Sequence, residues 1–227
     1  MSFIMNEGAD TRRRPSRRRR GLILSLAVVV VLVIASIAFL LGRSDDLGEH
    51  APPTGQAPTT DSDITWQRVS GQPVPVSALH GPSRQESSGA AMGFTHDALG
   101  AALAAINIST RLSSSAGPAV YEATARMQTL GDVEGTIAAA RAEVSSENAA
   151  NTAATRFAYR LSGDPTGDVV VVSIAAETPQ TSAMRGYAQM ERTMQWVDGD
   201  WRMQVPLSRP QFVTVIDGFA PLGGPDA

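Results

Sequence analysis

The 227-residue chain contains no cysteine, no lysine and only three histidines. The absence of cysteine excludes disulfides, thiolate nucleophiles, cysteine-ligated zinc and thiol lipidation together, so packing alone must stabilise any folded part. His50, His80 and His96 stand at no metal-ligand spacing, and no His-Glu helical motif occurs, so no metal is expected. Ser113, Ser114 and Ser115 lack the Gly-x-Ser-x-Gly turn of an activated nucleophile. The glycines between 218 and 224 precede no helix, which removes a phosphate-binding loop. No cofactor and no catalytic set are therefore expected. His96 with Asp97 is the one acid–base pair in the chain. Its structural reading places both in the first turn of a helix, with Asp97 answering the helix dipole and His96 facing solvent or bonding the preceding segment.

What is abundant is arginine, and its placement is uneven. Seven arginines lie between Arg12 and Arg20, and Gly21 to Leu41 follows without a charge. A helix of that length rises about 31 Å, close to the roughly 30 Å hydrocarbon core of a bilayer, so one membrane-spanning helix is predicted over 21–41. Basic residues stay on the cytoplasmic side, which places residues 1–20 inside as a basic tail and everything beyond Leu41 outside. Ser36 and Ala38 offer a signal-peptidase site, but the apolar run continues through Leu41 and exceeds a signal-peptide core. Gly21 and Ser25 have the small-xxx-small spacing of helix pairing, which admits a homo-oligomer.

The net charge is +5 over Met1–Arg20 and −8 over Arg43–Ala227. A basic tail suits anionic headgroups, so the lipid bilayer is the first expected partner. An acidic exterior is expected to bind no nucleic acid, because phosphate neutralisation requires clustered arginine. Arginine in place of lysine, together with abundant alanine, reads as GC-rich coding and points to an actinobacterium.

Residues 42–63 are acidic and rich in Pro, Thr and Gly, and read as a disordered linker spanning about 25 Å on average. Residues 64–93, with Trp66, Val69, Val74 and Val76 among Gly71, Pro73, Pro75, Gly81 and Pro82, predict an irregular extended strap. Its prolines forbid a helix and demote any strand to an edge. Trp66 is expected to pin that strap to the core.

A folded domain is predicted over 94–227. Thr95 is taken as the N-cap of a first helix through about Leu112, with Phe94 and Leu99 as a hydrophobic staple. Pro118 opens a second helix through about Leu130, and Gly131-Asp132 opens a third with Val133, Ile137, Ala140 and Val144 on its apolar side. The period then becomes two: Phe157, Tyr159 and Leu161 alternate with polar neighbours, and Val169–Ile174 reads as a central strand covered on both faces. Asp198-Gly199 is a type I′ hairpin signal that sets Trp196 opposite Trp201 and Met194 opposite Met203. One face then collects Met190, Met194, Trp196, Trp201, Met203 and Val205. The other collects Tyr187, Gln189, Glu191, Thr193, Gln195, Arg202 and Gln204, and of these Tyr187, Gln189, Glu191, Thr193 and Arg202 form a candidate partner surface. Three helices followed by mainly antiparallel strands make the class α+β.

In the strap, Trp66, Gly71, Pro75, Ser77, Gly81 and Pro82 carry a resemblance continued by Gly93-Phe94, His96, Gly100-Ala101, Ala104-Ala105, Trp196, Asp198-Gly199-Asp200-Trp201 and Gly218-Phe219. Over Trp66–Gly224 the chain resembles the nuclear transport factor 2-like fold, and more narrowly the anchored extracytoplasmic proteins encoded beside actinobacterial conjugation genes. It is similar in organisation to the inner-membrane bridging subunit of type IV secretion systems. The resemblance implies three helices on a curved sheet forming a cone, other secretion-complex subunits as partners, and a non-enzymatic scaffold of a conjugative DNA-transfer or secretion apparatus. An extracytoplasmic ligand binder or cell-envelope enzyme of the same fold, and an accessory protein of another envelope transport complex, are the alternatives. A cone interior holding a pocket lined by His96, Asp97 and Tyr159 would favour the enzyme.

Overall fold

The computed structural model describes residues 63–143 and 153–225. The predicted anchor at Gly21–Leu41 lies outside the described residues, as do the basic tail, nearly all of the linker, His50 and Val144. Among the described residues no helix is long and apolar enough to cross a membrane. What is described is α+β.

The strap begins as a hairpin. Strands β1 (Ile64–Val69) and β2 (Gln72–Ser77) pair antiparallel around Ser70-Gly71, whose φ values of 49° and 84° suit a type I′ turn. The sequence reading of 64–93 as an irregular strap is corrected here. A two-stranded ribbon has only edges, so Pro73 and Pro75 are tolerated within β2. Strands β3 (Arg84–Gln85) and β4 (Ala91–Met92) form a second short pair.

Helix α1 (Ala98–Leu112) has Asp97, not Thr95, as its N-cap: the Asp97 carboxylate accepts from Gly100 N–H at 2.7 Å. Thr95 is pulled into other work, since its carbonyl accepts from the Trp201 indole at 2.8 Å and its hydroxyl lies 3.3 Å from His80. A carboxylate also answers the positive helix end, where a hydroxyl does so more weakly. Most of α1 is buried, with Ala101, Ala102, Leu103, Ala104, Ala105 and Ile108 all inaccessible to solvent. From Ala98 to Ile106 it is apolar on every side because sheet and strap cover the helix from different directions, and its C-terminal part carries the polar Asn107 and Arg111 inward.

Helix α2 (Pro118–Gln128) starts at its proline as predicted, but stops earlier, because Thr129–Gly131 leaves the helix as strand β5. Helix α3 (Val133–Ala142) is capped by Asp132, which accepts from Gly135 N–H at 2.9 Å. A fourth helix, α4 (Pro179–Ala183), is one the sequence reading lacks; Thr178 and Thr181 close it with a reciprocal capping box.

Seven strands make the main sheet. Strands β6 (Arg156–Ser162), β7 (Val169–Glu177), β8 (Tyr187–Val197), β9 (Asp200–Val205), β10 (Gln211–Val213) and β11 (Ala220–Gly223) join β5 in the order β11-β6-β7-β8-β9-β5, with β10 also on β8. All pairs are antiparallel except β5–β9. β7 is central, as its β-branched run predicts. Its Val170, Val172, Ile174 and Ala176 face α1, and Ser173 and Ala175 are buried on the other face. Each fully buried Val, Ile or Met side chain contributes roughly 1.5–3 kcal/mol, which is how a chain without disulfides is held.

Candidate functional site

The hairpin β8–β9 turns at Asp198 (φ 54°) and Gly199 (φ 80°), and pairs Trp196 with Trp201 and Met194 with Met203. From this turn a compact aromatic and polar cluster is built. Trp201 is fully buried, and Trp196 meets it edge-on at 5.3 Å. His96 lies parallel on Trp196 at 4.3 Å between centroids and edge-on to Trp201 at 5.2 Å. Its Nε2 is 3.1 Å from the Gly167 carbonyl, which can only accept, so Nε2 carries the proton. The Asp168 carboxylate stands 3.9 Å away.

His96 and Asp97 are held by different partners. His96 precedes α1 and stacks on tryptophan, whereas Asp97 binds the strap: His80 Nδ1 is 3.0 Å from its carboxylate. Burial raises the Asp97 pKa, but hydrogen bonds from Gly100 N–H, Thr95 and His80 outweigh it and hold the carboxyl below its ordinary value. The structure thus joins His80 and Asp97, a pairing that 17 residues of separation conceal in the sequence.

Asp200, next to the turn, is the residue the sequence reading undervalues. Its carboxylate is nearly buried and accepts from Gly93 N–H at 2.7 Å, Phe94 N–H at 3.2 Å and Trp201 N–H at 2.9 Å. It ties the hairpin to the end of the strap. Beside it lies a recess of about 150 Å³ bordered by Arg84, Gly93, Gln128, Asp198 and Arg202 among others. Both arginines at its rim are already paired, Arg84 with Glu86 at 2.9 Å and Arg202 with Asp198 at 2.9 Å. Neither His96, Asp97 nor Tyr159 borders this recess. Tyr159, on β6, packs against the core instead.

Among the described residues two guanidiniums are buried without a carboxylate. Arg111 is 1% exposed and donates to the Gly89 carbonyl at 2.9 Å and to Asn107 Oδ1 at 2.6 Å; Asn107 in turn donates to the Pro75 carbonyl at 2.8 Å. Helix α1 thereby holds two parts of the strap. Arg192 is 5% exposed and donates to Ser109 Oγ at 3.0 Å and to the Ser208 carbonyl at 3.2 Å. Burial pushes both arginines down to about 10, so both stay charged at neutral pH. Arg192 falls on the same face as Met190 and Met194 by its strand period, a signal the sequence reading leaves unused.

The candidate partner surface lies on the sheet face opposite α1, toward β8 and β9. Glu191 and Thr193 are exposed there, while Tyr187, Gln189 and Arg202 are half-buried. Register continues that face through Val171 to Ser162 and, past the buried Ser173, to Arg160. Trp66 lies elsewhere, stacked on Phe157 with ring centroids 5.7 Å apart.

Compared with known protein families, residues 42–221 match the model described as Domain of unknown function (DUF8175). The chain belongs to the DUF8175 family. No curated protein and no solved structure matches it. The matched span of this DUF8175 chain includes the strap, the four helices among the described residues, the hairpin cluster and the polar sheet face, and leaves out Gly21–Leu41.

Proposed function

We propose that this DUF8175 chain is a non-enzymatic, single-pass membrane scaffold of an actinobacterial conjugative or secretion apparatus, with its C-terminal domain on the outer side of the membrane. The domain is read as a nuclear transport factor 2-like cone, on the strength of the resemblance together with the α1-covered, mainly antiparallel sheet. The observation that carries the scaffold reading is how the two sheet faces are used. The face beneath α1 is filled by Val170, Val172, Ile174, Met194, Trp201 and Met203, while the opposite face presents Glu191, Thr193 and Gln204 to solvent. Small-molecule sites commonly occupy roughly 300–1,000 Å³. The recess by Asp200 is smaller, at about 150 Å³.

One detail favours a second reading, a ligand-binding domain of the same fold. Gln128, at the recess, is 1% exposed and its Oε1 has no hydrogen-bond partner, while its Nε2 donates to the Ala91 carbonyl. A bound donor group would satisfy that oxygen. The test of the scaffold reading is affinity capture of the full chain from mildly solubilised native membranes. Recovery of a conjugation ATPase or channel subunit supports the scaffold, and recovery of transport permeases alone assigns the chain to another envelope complex.

A further inference from the structure

We propose that the edge of the domain built from Met184, Arg185, Arg209, Phe212 and Val215 docks on the anionic surface of the membrane that holds the chain. This rests on reading Gly21–Leu41 as an anchor. Three of the five large apolar side chains most exposed among the described residues fall here: Met184 at 53%, Phe212 at 49% and Val215 at 61%. Strand pairing brings two segments together, since Phe212 on β10 is registered against Ala188 on β8. The Phe212 ring also lies over the backbone of Gly186, where an added Cβ would collide with it. That contact brings Phe212 onto the segment that carries Met184 and Arg185.

The charge at this edge runs against the rest of the exterior. Between Thr178 and Met190 the only charged residue is Arg185, and between Pro206 and Ile216 it is Arg209. Both are exposed, and neither guanidinium has a carboxylate partner among the described residues. Arg84, Arg126 and Arg141 do have one, whereas the exposed Arg68, Arg156 and Arg160 share the unpaired state of Arg185 and Arg209, so it is the apolar neighbours that set this edge apart. In sequence, Glu177, Glu191 and Asp217 flank these two segments. Apolar side chains flanked by unpaired arginines are the composition that seats in a headgroup layer, where the cations meet lipid phosphates and the apolar groups enter the acyl boundary.

Position in the sheet favours the membrane over other partners. Phe157, Ala176, Ala188 and Phe212 form one continuous row across β6, β7, β8 and β10. Trp66, just after the point where the linker joins the domain, stacks on the Phe157 end of that row. Phe212 is three strand spacings away, roughly 14 Å. A chain of the length and composition of residues 42–63 is expected to span about 25 Å on average, enough for the membrane that holds the predicted anchor to receive the patch.

The experiment uses the full chain in lipid vesicles with and without phosphatidylglycerol. With no native cysteine, Val215→Cys takes a single environment-sensitive fluorophore, and Thr193→Cys on the polar sheet face serves as control. Docking predicts that the label at 215 is shielded from an aqueous quencher only with phosphatidylglycerol, that the label at 193 stays exposed, and that high salt reverses the shielding. Replacing Arg185 and Arg209 together by Ala should reduce the docked-to-free ratio about thirtyfold, two charges near the surface being removed. Alkaline carbonate extraction reports the anchor separately. A chain that resists extraction with its label at 215 equally quenched in both vesicle types overturns the docking alone; an extracted chain overturns the anchor and this proposal with it. Shielding that ignores phosphatidylglycerol and grows with protein density assigns the patch to a second copy and overturns the docking.

Discussion

Replacing Asp200 should be among the most damaging single changes in the domain, although it sits beside a hairpin turn. Its carboxylate receives the Gly93, Phe94 and Trp201 N–H groups, and Phe94 and Trp201 are buried. Hydrogen bonds to a charged acceptor contribute about 1.5–3 kcal/mol, and a buried N–H left without a partner costs about 1–3 kcal/mol. Water can replace part of the bond at Gly93 but not that at Phe94. Asp200→Ala should therefore cost about 3–5 kcal/mol, a large share of the roughly 5–15 kcal/mol of a typical domain. Asp200→Asn keeps one acceptor oxygen and should cost about 1–3 kcal/mol. The assay is urea unfolding of the full chain in detergent, followed by tryptophan fluorescence. With a slope near 2 kcal/mol per molar, the alanine variant should unfold at roughly 2 M lower urea. A shift below about 0.5 kcal/mol for Asp200→Ala, within the range of ordinary surface substitutions, would refute the assignment of Asp200 as the tie between hairpin and strap.

Arg111→Ala should destabilise by about 3–5 kcal/mol in the same assay, because it empties buried space and strands the Gly89 carbonyl and Asn107 Oδ1. Asp97→Ala should cost about 1 kcal/mol through loss of the α1 cap, whereas Asp97→Asn retains capping. The depressed Asp97 carboxyl stabilises the fold above its ordinary value of 3.8, and that contribution disappears as the pH falls through the lower folded value. Asp97→Asn should accordingly flatten the acid limb of a stability–pH profile. Gly100→Ala should destabilise despite a gain of about 1 kcal/mol in helix propensity, because the new Cβ meets the Thr95 carbonyl; a higher midpoint would contradict the packing described.

The hairpin was legible in the sequence because two independent signals agree there: Asp-Gly specifies the turn, and the period of two specifies the faces. The N-cap of α1 was harder. Thr95 and Asp97 are both capping types, and Thr95 is held in other contacts by the indole of Trp201, more than a hundred residues away, and by His80. Prolines concealed the β1–β2 ribbon, since their veto applies to central strands and this ribbon has none. Strand β5 and helix α4 are three and five residues long, too short for a period to show. The buried roles of Arg111 and Arg192 depend on distant carbonyl and hydroxyl partners that composition does not reveal. The His80–Asp97 contact was hidden for the same reason.

The measurement closest to the central claim is site-specific cross-linking in living cells from the polar sheet face. A photoreactive residue in place of Thr193 or Glu191 should form adducts with other subunits of a conjugative or secretion complex, while one in place of buried Val172 forms none. Adducts confined to permeases of another transport system, or a Thr193 position that reacts no more than Val172, would contradict the scaffold account.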